Sequence, residues 1–118
     1  MGFKHPITKS FLFAFEGIKT ALKKEPNLRI HLIIAAVAIF AAMILGFNLL
    51  EWVILIITIG FVLTLELVNT ALESIVNLVS PEIKEEAKVA KDVSAAAVFI
   101  AAAVSVLIGL FLFLPKIY

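Results

Sequence analysis

Cysteine is absent from the 118-residue chain, and histidine occurs only twice. The absence of cysteine excludes a disulfide framework, a thiolate metal site and a cysteine nucleophile. Charged residues are scarce at 16%, while apolar residues reach 63%, against about 25% and about 45–50% in average soluble domains. A soluble domain this short has too little interior to bury so much apolar surface. The composition therefore favours an integral membrane protein over a soluble enzyme.

The sequence also lacks the motifs of the common nucleotide-binding folds. Neither G-x-x-x-x-G-K-[ST] nor G-x-G-x-x-G occurs, and the protein-kinase signature set is missing. His5 and His31 do not have the spacing of zinc ligands. A formal net charge of +1 gives no basis for nucleic-acid binding. Any chemistry must therefore depend on a small number of charged residues.

Most apolar residues fall into three runs without a charge, at 32–50, 52–65 and 93–114. A membrane-spanning helix needs about 20 predominantly apolar residues, so the first and third runs are long enough. The second run is long enough only if its helix continues through Glu66 and Glu73 to Val79. We therefore predict one domain over residues 1–118, all α-helical, with spans at about 29–50, 52–79 and 90–114.

Residues 7–24, before the first span, show the periodicity of an amphipathic helix. Apolar residues share one side, and lysines lie on the others. The apolar side holds Ile7, Phe11, Phe15, Ile18 and Leu22. Pro6 suits the start of this helix, and Glu25-Pro26 ends it. Basic amphipathic helices lie in the membrane interface, so we predict a surface helix at about 7–25.

The basic residues are distributed unequally around the predicted spans. Every Lys and Arg except Lys116 lies in residues 1–31 or 82–92. Three spans place these two segments on the same side of the membrane, and basic residues are enriched on the cytoplasmic side. We therefore predict a cytoplasmic N-terminus, with the turn at Gly46 and the C-terminus outside.

The second predicted span carries polar residues that form one stripe. Glu66, Asn69, Glu73 and Asn77 are spaced so that a helix of about 100° per residue places them on one side. At about 1.5 Å per residue, Glu66 lies roughly 22 Å from Glu51 in a hydrocarbon core of about 30 Å. An ionisable group there costs about 2.5–3.5 kcal/mol on insertion scales and is a functional candidate. For the two asparagines, interhelical hydrogen bonding is the alternative.

Glu25 lies at the predicted break between the surface helix and the first span, where it could face Glu73. Two carboxylates at an aqueous boundary suit Mg²⁺, which typically takes one or two carboxylates with phosphate oxygens and water. A solvated turn residue is the alternative for Glu25.

Lys91 and Asp92 begin the third span, followed by small residues from Ser94. Small residues permit close helix packing, which would bring this pair near the Glu73 end of the second span. From position alone, Lys91 is better explained as a lysine that extends to the membrane interface, and the same holds for Lys84 and Lys88.

Two motifs together resemble the signature of the small bacterial integral-membrane diacylglycerol/undecaprenol kinases. They are E-L-V-N-T-A-L-E at residues 66–73 and A-K-D-V-S-A-A-A-V at residues 90–98. Upstream, E-G-I-K at 16–19 and K-E-P-N-L-R-I-H at 24–31 are also similar to that family. The resemblance covers about residues 10–115.

This resemblance implies a homotrimer of three-span protomers with a surface helix in the bacterial cytoplasmic membrane. Such enzymes transfer the γ-phosphoryl group of MgATP to a lipid hydroxyl at the cytoplasmic face. Their active sites are shared between neighbouring protomers. The implied partners are therefore ATP, Mg²⁺, a membrane lipid and further copies of the chain.

The resemblance also implies roles for single residues. The implied catalytic residues are Glu66, as the general base on the lipid hydroxyl, and Asn69, which supports the site. The implied lipid contacts are Glu66 and Ala95, and the implied magnesium ligands are Glu25 and Glu73. The implied nucleotide contacts are Lys91, Asp92, Glu82 and Lys84.

The sequence departs from the family pattern at three positions. Asn77 replaces an aspartate of many relatives, Phe13 a tyrosine of the diacylglycerol branch, and Pro6 a basic residue. The N-terminal half and the ending F-L-P-K resemble the Gram-positive branch, which prefers undecaprenol. Undecaprenol is therefore the expected lipid, and diacylglycerol is the alternative. A small proton-coupled transporter with Glu66 as relay, or a structural membrane subunit, are the alternatives from other classes.

Overall fold

The computed structural model describes residues 6–82 and 84–118, which form four α-helices. In chain order these are α1 (Ile7–Lys24), α2 (Pro26–Leu45), α3 (Leu49–Val79) and α4 (Glu85–Ile117). The last three are long and apolar enough to cross a membrane. The predicted all-helical architecture with three candidate spans is thus confirmed. Lys4 and His5, which entered the sequence argument, lie outside the described residues.

The break between α1 and α2 is set by Glu25-Pro26. Pro26 is the first residue of α2, and Glu25 has extended backbone angles (φ −113°, ψ 103°). Proline disfavours helical angles in the residue before it and is well suited to the first position of a helix. The same two residues therefore end α1, begin α2 and hold the Glu25 carboxylate at the junction.

The turn between α2 and α3 has a left-handed residue and a complete N-terminal cap. Gly46 has φ 70°, a conformation that glycine adopts without a Cβ clash. The Glu51 N–H donates to Asn48 Oδ1, and the Asn48 N–H donates to Glu51 Oε1, both at 2.9 Å. This reciprocal arrangement satisfies two donors that the start of a helix would otherwise leave unpaired. Glu51 is therefore held at one end of α3.

The packed interior lies at this same end of the helices. It is a small cluster that includes Ala42, Phe47, Leu55 and Leu112. The Phe47 ring lies 4.9 Å from that of Phe113 and 6.0 Å from that of Trp52, measured between centroids. Lys116 Nζ forms an ion pair of 2.9 Å with Glu51 Oε1. These contacts join α2, α3 and the C-terminal end of α4.

Large apolar side chains are exposed along all three candidate spans. Ile44, Ile57 and Phe99, one from each helix, are more than half exposed. In water such a surface would be unfavourable, at about 25 cal/mol per Å² of apolar area. A bilayer removes that cost, so the exposed residues are consistent with lipid contact. The polar residues Glu66, Asn69 and Glu73 lie toward the other end of α3, away from the cluster around Phe47.

Candidate functional site

Among the described residues, Glu66 is the one charged residue that is buried, with 5% of its surface exposed. It lies on α3 in the same stripe as Asn69 and Glu73, which are half-buried. α3 continues without a break through both glutamates, because the flanking positions are apolar and the helix has no interior proline. A carboxylate buried in this way needs polar partners or a function.

The two carboxylate oxygens of Glu66 have different surroundings. Oε1 lies 2.7 Å from His31 Nδ1, which comes from α2. This is an ion-pair distance, although the ring N–H is not aligned as in a regular hydrogen bond. Oε2 is buried and has no hydrogen-bond partner among the described residues. One oxygen is therefore held, and the other is available.

Asn69 connects α3 to α4. Its Nδ2 donates a hydrogen bond of 2.6 Å to Glu73 Oε1, and its Oδ1 accepts one from the Ser94 hydroxyl. Ser94 is buried near the start of the apolar part of α4. Because both ends of the amide are bonded, the orientation of Asn69 is defined. The pair Asn69–Glu73 is therefore a rigid unit beside Glu66.

A cavity of about 90 Å³ brings several predicted site residues together. Glu66, Asn69, Glu25 and Ala95 all contribute to its wall, together with Thr70 and neutral residues of α2 and α4. Thr70 is itself oriented, because its hydroxyl donates to the Glu66 carbonyl oxygen at 3.0 Å. Glu66, the predicted general base and a predicted lipid contact, thus shares one cavity with Ala95, the other predicted lipid contact, and with Glu25, a predicted magnesium ligand.

A second, larger cavity of about 250 Å³ lies between α3 and the start of α4. Its wall includes Asn77, Glu82, Lys91 and Asp92. Asp92 also accepts a 2.6 Å hydrogen bond from Lys88, which lines the same cavity. This cavity contains three of the four residues predicted to contact a nucleotide.

Lys84 is the exception among the predicted nucleotide contacts. It lines a different groove, with Val79 and Glu86. The side chain therefore does not join Lys91 and Asp92 in the described structure. Its assignment comes from the family resemblance and stays a prediction.

The acidic residues do not form a preassembled metal site. Within residues 6–82 and 84–118, no three side chains of His, Asp or Glu are close enough together to bind a metal ion. Glu25 and Glu73 are both half-buried, and each is adjacent to the smaller cavity, Glu73 through its bond to Asn69. Two carboxylates without a third protein ligand match the sparse protein coordination that Mg²⁺ accepts.

Two residues of the site were missed by sequence reasoning, His31 and Ser94. His31 was considered only as a zinc ligand and Ser94 only as a small residue. The sequence of α2 carries no signal for His31, because the helix is apolar on every side after it. In the structure His31 lies three residues after Leu28 and four before Ala35, both of which are buried. Those intervals place all three on one side of α2. A histidine on the packed side of a membrane helix requires a polar partner.

Comparison with known proteins identifies similar chains. The family described as "Prokaryotic diacylglycerol kinase" matches residues 12–113. The chain is 38% identical over 109 residues to an undecaprenol kinase of Bacillus subtilis, covering 92% of this chain and 89% of that protein. It is 40% identical over 109 residues to a diacylglycerol kinase of Synechocystis sp., covering 92% of this chain and 62% of that protein. It is 34% identical over 100 residues to a diacylglycerol kinase of Haemophilus influenzae, covering 85% of this chain and 84% of that protein.

The bond between Ser94 and Asn69 generates a stability prediction. Ser94→Ala leaves the Asn69 carbonyl oxygen without its donor, so the free energy of unfolding in detergent should fall by about 1–3 kcal/mol. Ser105→Ala is the matched control, because its hydroxyl donates only to the Ala102 carbonyl oxygen of its own helix. Denaturant unfolding in one detergent measures both. Equal stability of Ser94→Ala and the wild type would contradict the predicted contribution.

Proposed function

The chain belongs to the prokaryotic diacylglycerol kinase family and is a lipid kinase, and from this premise we propose that it phosphorylates undecaprenol at the cytoplasmic face of a bacterial membrane. The undecaprenol kinase of Bacillus subtilis supports this lipid, since the similarity extends over 89% of its length. Diacylglycerol is the second candidate, because the Synechocystis and Haemophilus relatives are diacylglycerol kinases. Both lipids present a primary hydroxyl.

The environment of Glu66 is the observation that carries the proposal. Its Oε2 is buried, lacks a partner among the described residues, and belongs to a side chain that lines a cavity. An available carboxylate oxygen inside a membrane helix suits a base that accepts a proton from a lipid headgroup. Purely structural use of Glu66 would leave this oxygen unexplained, because unpaired buried acceptors destabilise a fold.

In the proposed reaction, the lipid hydroxyl oxygen attacks the γ-phosphorus of ATP. The bond between that phosphorus and the β–γ bridging oxygen breaks, and ADP leaves. Glu66 Oε2 accepts the hydroxyl proton. Phosphoryl transfer depends mainly on positioning and charge stabilisation, which makes the orientation of the surrounding groups as important as the base.

The surrounding residues have distinct proposed roles. Asn69, fixed by Ser94 and Glu73, supports the geometry next to Glu66. Ala95 lines the same cavity with a small side chain, which leaves room for the lipid headgroup. Lys91, Asp92 and Glu82 contact the nucleotide from the larger cavity. Lys84 contacts it from the neighbouring groove.

ATP enters this scheme as its magnesium complex, and Glu25 and Glu73 are the proposed residues that hold the ion. Both offer carboxylate oxygens, the ligand type that Mg²⁺ prefers. The bound ion would neutralise charge on the phosphate oxygens. Because Glu73 Oε1 already accepts from Asn69, Oε2 is its oxygen available for this role.

The proposed orientation puts the N-terminus and residues 82–92 in the cytoplasm, the two polar cavities toward the cytoplasmic side of the membrane, and the C-terminus outside. It is supported by the basic residues, which are concentrated in residues 1–31 and 82–92. α1 is proposed to lie in the interface, because Ile7, Phe11 and Phe15 are exposed on its apolar side. Since the chain has no cysteine, labelling of a single introduced cysteine measures the orientation directly.

We also propose that the protein is a homotrimer whose protomers share active sites. Open cavities and exposed apolar side chains on a single protomer are consistent with further copies packing against it. The mass of the purified complex in detergent, after subtraction of bound detergent, tests this stoichiometry.

The choice of lipid generates the first functional prediction. With purified protein and γ-labelled ATP, kcat/KM for undecaprenol should exceed that for diacylglycerol by at least about tenfold, equivalent to ~1.4 kcal/mol. Equal or faster phosphorylation of diacylglycerol would reverse the assignment. Absence of lipid-dependent ADP release with both lipids would refute the kinase activity itself.

Glu66→Gln tests the general base. The amide cannot accept the hydroxyl proton, so turnover should fall by at least about 100-fold, whereas affinity for a non-hydrolysable ATP analogue should stay within about twofold of the wild type. Glu85→Gln, at an exposed position in the first turn of α4, is the matched control and should retain full turnover. High residual activity of Glu66→Gln would exclude the assigned role.

Glu73→Gln tests the magnesium ligand. Glutamine keeps an oxygen that can accept from Asn69 but removes the negative charge, so the magnesium concentration for half-maximal activity should rise by at least about fivefold. The midpoint for Glu85→Gln should not move. An unchanged magnesium titration for Glu73→Gln would show that the ion is held elsewhere.

A further inference from the structure

His31 has no role in the reaction described so far, yet it makes the closest contact to the proposed base. Its Nδ1 lies 2.7 Å from Glu66 Oε1. We infer that His31 is a positioning residue for Glu66, which restrains Oε1 and thereby leaves Oε2 oriented toward the lipid hydroxyl. This inference rests on the proposed role of Glu66 as general base.

The chemistry of the contact favours a proton on Nδ1. Two unprotonated acceptors at 2.7 Å would repel each other. With a proton on Nδ1, in the neutral tautomer or in the imidazolium, the contact with Oε1 is attractive, although the N–H is not aligned as in a regular hydrogen bond.

His31 is also the one basic side chain within ion-pair distance of Glu66 in the described chain. Its side chain is 26% exposed, whereas that of Glu66 is 6% exposed. The other groups around the base are Thr70 and Asn69 of α3 and Ala95 of α4, all neutral, and Glu25, an acid in the same cavity. No other described neighbour therefore compensates the charge of Glu66.

The position of His31 separates two environments. On one side is Glu66 with the polar cavity. On the other, His31 lines an apolar cavity of about 260 Å³, with residues such as Ile34, Val62 and Phe113. His31 therefore lies between Glu66 and this apolar cavity. Its contact with Oε1 restrains the orientation of the carboxylate, since α2 and α3 are packed together.

A simple structural role, in which His31 only joins α2 to α3, makes different predictions for the kinetic parameters. Loss of packing alone would lower the amount of folded enzyme and leave kcat per folded molecule unchanged. Loss of positioning lowers kcat and leaves KM for MgATP unchanged, because the nucleotide is contacted by other residues.

The test uses two substitutions in the full-length protein in detergent, with undecaprenol and diacylglycerol both supplied. His31→Leu keeps apolar bulk and removes the donor. We expect kcat per folded enzyme to fall by at least ~10-fold and KM for MgATP to stay within about twofold. His31→Asn can place an amide N–H near the position of Nδ1 and should restore most of kcat.

Ser105→Ala is the matched control, since Ser105 lines the same apolar cavity as His31 and does not contact Glu66. Its kcat should equal that of the wild type. If His31→Leu does not fold, the result for His31→Asn decides. A kcat of His31→Asn close to that of the wild type supports the positioning role, and a kcat tenfold lower overturns it. Unchanged kcat in folded His31→Leu also overturns it.

The outcomes for Glu66→Gln separate this inference from the proposed function. If Glu66→Gln is inactive while folded His31→Leu is fully active, the inference about His31 fails and the general base stands. If Glu66→Gln is active, the general base fails, and the role of His31 through it fails with it.

Discussion

The burial of one carboxylate, that of Glu66, is the constraint on which the polar half of the structure depends. A membrane helix can contain an ionisable group only if protein partners or a cavity replace water. α2 provides the imidazole of His31, while α3 and α4 provide a small cavity with neutral polar walls. His31 contacts Oε1 of this carboxylate, whereas Oε2 has no hydrogen-bond partner in the described chain. This unpaired oxygen is the one proposed to accept the proton of the lipid hydroxyl.

The two ends of the helices serve different purposes. One end has aromatic packing around Phe47, a complete N-terminal cap at Asn48 and the ion pair of Lys116 with Glu51. The other end has the network of Asn69, Glu73 and Ser94, together with two polar cavities. The apolar end supplies stability that does not depend on the site. The polar end can therefore retain unpaired groups and open space, which a stability-optimised interface would eliminate.

Sequence reasoning succeeded where helix geometry alone determines the result. The stripe of Glu66, Asn69 and Glu73 follows from intervals of three and four residues, so it holds for any helix that includes them. The break at Glu25-Pro26 is equally local, because proline restricts the residue before it.

Contacts between helices were harder to predict, because they depend on how each helix is rotated and on its height relative to its neighbour. Neither quantity can be read from one helix's own pattern. The contact of His31 with Glu66 and the bond of Ser94 to Asn69 are both of this kind. Lys84, which the family resemblance implies as a nucleotide contact, lies along another groove than Lys91, and its assignment stays a prediction. The packed side of α2, marked by Leu28 and Ala35, is visible only in the structure, because the helix is apolar on every side after His31.

The most direct measurement is an experimental structure of the protein with magnesium, a non-hydrolysable ATP analogue and a short-chain polyprenol. The lipid hydroxyl oxygen should lie within hydrogen-bond distance of Glu66 Oε2, about 2.6–3.2 Å, with its opposite side facing the γ-phosphorus. A hydroxyl bound to another residue, with Glu66 Oε2 distant from both substrates, would contradict the central claim that this buried carboxylate is the base.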